Sequence, residues 1–89
     1  MPVISMFSGI LVRMYFFDNR QHSAPHIHAE YQGQKGVYDI VTGERLAGEL
    51  PRAKERLVVA WIELRREDLM ADWDLATRGD ELFRIAPLA

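Results

Sequence analysis

Pro25-His26-Ile27-His28-Ala29-Glu30-Tyr31 is the stretch whose residue types and spacing could do chemistry. Side chains on a strand alternate between its two faces. His26, His28 and Glu30 therefore share one side, and Ile27, Ala29 and Tyr31 the other. Two imidazoles and a carboxylate are donors for a divalent transition metal. They are equally a proton-transfer set, because imidazole titrates near neutral pH. The outward face of a small antiparallel sheet supplies the same residues with no chemistry attached. His22, in the loop ahead of Pro25, is either a further ligand or a solvated side chain.

Neighbouring strands extend this set. If Tyr38 and Ile40 face the core, Asp39 falls on the histidine side; if Ile10, Val12, Met14 and Phe16 face the core, Arg13 and Tyr15 join it. The resulting constellation is Arg13, Tyr15, His26, His28, Glu30 and Asp39. It is conditional on register, because a slip of one residue turns a strand's side chains to the opposite face.

The elements that must position these residues divide near Pro51. Ile10 to Phe17 is β-branched and aromatic and reads as a strand after Gly9. Asp18 to Pro25 is a polar loop. His26 to Tyr31 and Lys35 to Val41 read as a hairpin about Gln32-Gly33-Gln34, with a short strand at Arg45 to Ala47 after a second turn. Pro51 suits the first turn of a helix. Leu57, Val58, Trp61, Ile62 and Leu64, then Leu69, Trp73 and Ala76, recur at helical spacing, with Gly79 as a stop. A single helix from Pro51 to Arg78 would be about 42 Å long, and its apolar stripe changes phase, which predicts two helices meeting near Arg65 to Glu67. Leu82 to Ile85 is expected to be a last strand. The fold class is α+β: one domain over residues 1–89, a small, mostly antiparallel sheet at about 3–47 packed by two helices at about 51–78.

Composition narrows the function classes. The chain has 89 residues, 48% apolar and 27% charged, with a net charge of -2. That suits a soluble globular domain and argues against coating nucleic acid by charge alone. The absence of cysteine excludes disulfides, thiolate zinc sites, iron–sulfur clusters and cysteine nucleophiles. No apolar run approaches a membrane span and the first residues lack a secretory leader, so a cytoplasmic protein is expected. The glycines form no phosphate loop and no serine sits in a nucleophile elbow. Trp61 and Trp73 lie on apolar stripes as core residues or partner anchors, and the mixed run Arg52, Lys54, Glu55, Arg56 is a solvated helix face or an RNA contact.

Several segments together resemble a known family. They are Met1 to Phe7, Ile10-Leu11-Val12-Arg13-Met14-Tyr15-Phe16, Pro25 to Tyr31, Asp39-Ile40, Gly43-Glu44 to Gly48-Glu49-Leu50-Pro51 and the stretch from Trp61 to Trp73. They resemble the bacterial family named domain of unknown function 4160 along nearly the whole chain. That resemblance implies a small protein encoded beside a second one, of the family domain of unknown function 2442, in a layout like a toxin–antitoxin module. The positions matching the motif are Arg13, Tyr15, His26, His28, Glu30 and Asp39. One departure concerns Arg65, which stands where the family pattern often has histidine after Glu63-Leu64.

Three functions follow as expectations. The first is a toxin-like module component acting on RNA or translation, with His26, His28, Arg13 and Tyr15 as catalytic candidates: ribonuclease-like chemistry needs a base, an acid and a cation for the phosphate. The second is a divalent-metal site of His26, His28, Glu30 and Asp39, catalytic or not. The third is a binding module that docks the neighbour-encoded protein or a second copy of itself. No membrane partner is expected.

Overall fold

The computed structural model describes residues 2–15 and 24–88. Five strands precede two helices: β1 (Val3–Phe7), β2 (Ile10–Arg13), β3 (His26–Tyr31), β4 (Gln34–Asp39), β5 (Arg45–Gly48), α1 (Arg52–Leu64) and α2 (Arg66–Thr77). The strands form one antiparallel sheet in sequence order. The α+β class, the antiparallel sheet and the two C-terminal helices are as the sequence predicts.

Two tight turns set the register. Ser8-Gly9 has φ of 52° and 78°, and Gln32-Gly33 has 46° and 84°. Positive φ at both central positions is the geometry whose twist matches a hairpin. The first turn opposes Phe7 to Ile10, and the second opposes Tyr31 to Gln34.

The core lies on one side of the sheet. Ile4, Phe7, Ile10, Val12, Met14, Ile27, Ala29, Tyr38 and Ile40 are buried in one cluster with Val58, Trp61, Ile62, Leu69 and Ala76 of the helices. Phe7 and Trp61 meet with ring centroids 5.4 Å apart. Tyr38 donates its O–H to Glu55 Oε2 at 2.8 Å, and Arg45 Nη1 reaches the same oxygen at 3.2 Å, tying β4 and β5 to α1. Burial, then the Glu55 carboxylate, pushes the Tyr38 phenol well above its ordinary range.

Several expectations need correction. β1 is a strand that the sequence reading does not single out. β2 ends at Arg13; Met14 and Tyr15 continue beyond it without sheet pairing, while Phe16, Phe17 and the loop residue His22 lie outside the described residues. Leu82 to Ile85 is not a strand. The tail makes one sheet-like contact, Ile85 N–H to the Ile4 carbonyl at 2.7 Å. The helix break falls at Arg65, whose φ of -111° and ψ of 20° leave the helical region between α1 and α2. No helix among the described residues is long and apolar enough to cross a membrane.

Candidate functional site

The site is built on β2, β3 and β4, on the sheet face turned away from the main core, with Trp73 of α2 reaching its His26 end. Arg13 lies opposite His28, Leu11 opposite Glu30, His28 opposite Val37, Glu30 opposite Lys35, and His26 opposite Asp39. Ile27, Ala29 and Tyr38 face the core, so alternation sends His26, His28, Glu30, Arg13 and Asp39 to the other side. Tyr15, just past β2, arrives beside them: its ring meets His28 edge-on with centroids 4.4 Å apart. The six residues singled out from the sequence thus share one sheet face.

Their environments differ. His26 is 1% exposed. Its ring lies 4.9 Å from the Trp73 indole of α2 and 5.2 Å from His28. Its Nδ1 is 2.8 Å from the Ala24 carbonyl. A carbonyl only accepts, so Nδ1 is the donor in this contact. His28 is half-buried, between Tyr15 and His26. The rings therefore run in a row, Trp73, His26, His28, Tyr15, with His26 the most deeply buried of the four.

Beside this row Arg13 Nε donates to Glu30 Oε2 at 2.5 Å, and Lys35 Nζ lies 3.9 Å from Glu30 Oε1. Glu30 thus sits between two cations and is less than one-third exposed. Asp39 is engaged in the turn after β4, where its Oδ1 accepts the N–H groups of Val41 (2.7 Å) and Thr42 (2.9 Å). That is the local side-chain-to-backbone bonding aspartate favours in turns.

This geometry weighs differently on the two chemistries. Among the described residues no group of three or more His, Asp or Glu side chains is placed to hold a metal ion. Glu30 faces Arg13 and Asp39 faces backbone amides, which leaves the two imidazoles as the nitrogen donors of the face. For proton transfer, by contrast, His28 is the accessible imidazole, with Tyr15 and Arg13 within one residue's reach.

Sequence reasoning missed two members. Lys35 was legible: a two-residue turn at Gln32-Gly33 places it opposite Glu30. Trp73 was not, because its contact with His26 crosses 47 positions of chain that no local pattern encodes. Arg65 stands at the helix break, where its Nη2 donates to the Pro87 carbonyl at 3.2 Å.

A family model described as Domain of unknown function (DUF4160) matches residues 9–74, which hold Arg13, Tyr15, His26, His28, Glu30 and Asp39. No curated protein and no solved structure matches the chain.

Proposed function

The chain belongs to the domain of unknown function 4160 family, and from that premise we propose that it is a cytoplasmic component of a two-gene, toxin–antitoxin-like module that acts on RNA through its open sheet face. The observation that carries this reading is the gathering of Arg13, Tyr15 and half-buried His28 on the sheet face turned away from the core, beyond the end that Trp73 covers. RNA offers a phosphate, a ribose hydroxyl and stackable bases. Arg13 and Lys35 supply cations for the first, His28 a proton-transfer group for the second, and Tyr15 a ring for the third. His26 is too deeply buried to touch a substrate and acts as a positioning residue that fixes the His28 ring. The overall charge of -2 limits affinity, so recognition rests on this local patch rather than on net charge.

A second reading draws on the residues flanking the patch. Met6 is exposed and Leu11 and Val37 are half-buried on the same face, a mixture of apolar and charged side chains that suits a protein interface. In that reading the neighbour-encoded protein docks there and no substrate is turned over. A divalent metal held by His26 and His28 would need a further donor beyond the described residues.

The test is growth of a bacterial host expressing the untagged chain alone, with its gene neighbour, and as His28→Ala. Arrest that the neighbour relieves and the variant lacks supports the RNA-directed module. Co-purification of the neighbour without any growth effect supports docking alone. Stoichiometric metal in the purified chain, lost in His28→Ala, would replace both with the metal reading.

A further inference from the structure

Beyond α2 the chain turns back across the body as an irregular strap. Four hydrogen bonds fasten it. Phe83 N–H donates to Asp72 Oδ1 at 3.0 Å, Ile85 N–H to the Ile4 carbonyl at 2.7 Å, Trp61 Nε1–H to the Ala86 carbonyl at 2.8 Å, and Arg65 Nη2 to the Pro87 carbonyl at 3.2 Å. Ile85, 6% exposed, is the apolar anchor.

The Asp72 fastening is unlike the others. It ends on a carboxyl group, 2% exposed, in the middle of α2. Its second oxygen, Oδ2, is buried without a hydrogen-bond partner among the described residues. Buried polar atoms are nearly always satisfied, and a bare one asks for an explanation. An ionised carboxylate there would hold its charge on one amide bond. A cleft of about 260 Å³ runs between α2 and the strap, lined by Asp68, Asp72, Phe83, Arg84 and Ile85 among others. The charged group acting on Asp72 is Asp68, one turn earlier on α2, and Arg84 of the strap lines the same cleft.

We propose that the Asp72–Phe83 contact is a proton-operated latch: neutral Asp72 keeps the strap down on α2, and ionised Asp72 releases it, uncovering the Trp61 indole and the β1 backbone at Ile4. The bare Oδ2 is the oxygen that carries the proton. Burial raises the Asp72 carboxyl above its ordinary value; the Phe83 N–H opposes that rise, and Asp68 adds to it. Lifting the strap exposes Asp72 Oδ2 to water, which hydrates the charge at the cost of one amide bond and the Ile85 anchor. The latch is a local opening, independent of what the sheet face binds.

Amide and indole hydrogen exchange of the full chain, followed by NMR over a pH series and corrected for intrinsic exchange, tests this directly. Protection of the Phe83 and Ile85 amides and the Trp61 indole is expected to fall together as pH rises from the ordinary aspartate range, by up to roughly tenfold per pH unit while Asp72 titrates. The central β3 amides should not follow. Asp72→Asn should abolish the pH dependence. Asp68→Asn should make the fall end at lower pH and total less, and it keeps the test open should Asp72→Asn fail to fold. Protection independent of pH in the natural chain, or the same fall in Asp72→Asn, overturns the latch, as does a carbon-detected Asp72 titration at or below the ordinary aspartate value.

Discussion

His26 and His28 stand two residues apart on one strand and have opposite fates, because one lies under Trp73 and the other beside Tyr15. Truncating them should separate stability from function. His26→Ala removes a buried ring and its bond to Ala24; by analogy with other buried large-to-small changes it should lose about 2–4 kcal/mol in urea unfolding. His28→Ala should lose under about 1 kcal/mol and still abolish the growth effect. Equal stability losses in the two variants would contradict the division of roles. Glu30 offers a complementary test, since it holds Arg13 and faces Lys35. Glu30→Gln removes an anion between two cations, so affinity for a single-stranded RNA should rise roughly two- to tenfold, with a steeper salt dependence. Fluorescence anisotropy against a labelled oligonucleotide reads this, and weaker binding would count against RNA as the ligand of this face.

At the scale of elements, the face exists because hairpins hold its strands in register, and the join of β4 to β5 lies at an exposed edge of the sheet. β5 is short and exposed, and its pairing is irregular between Val37 and Tyr38. Gly48 has φ of 71°, and a Cβ there would lie 2.1 Å from the Lys35 carbonyl oxygen. Gly48→Ala should therefore cost about 1–3 kcal/mol from backbone strain, read as a lower urea midpoint, with β5 amides losing protection before β2 amides. Much of this level was legible in sequence. The alternation in His26 to Tyr31, the turn at Gln32-Gly33 and the phase change near Arg65 each act over a few residues, and each appears where the residues put it. β1 was equally readable, for Val3–Phe7 is β-branched and aromatic and Ser8-Gly9 is its turn. What local pattern does not encode is which polar side chain becomes buried. Trp73 on His26 and Phe83 on Asp72 are set by how separate elements meet.

For the whole molecule the strap joins the end of the chain to its beginning through Ile85 and Ile4, and caps Trp61 on the way. Ending the chain at Glu81 would expose the pocket of one buried aliphatic side chain, roughly 1.5–3 kcal/mol, and leave a fully buried tryptophan N–H to find water, about 1–3 kcal/mol more. Against a total stability on the order of 5–15 kcal/mol for a domain, a truncated chain should still fold but with a clearly lower midpoint. The pH dependence should change as well. In the intact protein the folded state holds a proton on Asp72 that the unfolded chain gives up near 3.8. Between that pH and the raised folded value the unfolded state binds fewer protons, so this residue's contribution to stability is full at low pH and is lost as pH rises. Removing the strap hydrates Asp72 and should erase that slope, as Asp72→Asn does in the full chain. Urea midpoints of the four proteins across the same pH series measure it: intact minus Asp72→Asn should decline with pH, and truncated minus its own Asp72→Asn variant should be flat. A declining difference in the truncated pair would place the desolvation of Asp72 within α2 and the core, and deprive the strap of its part in it.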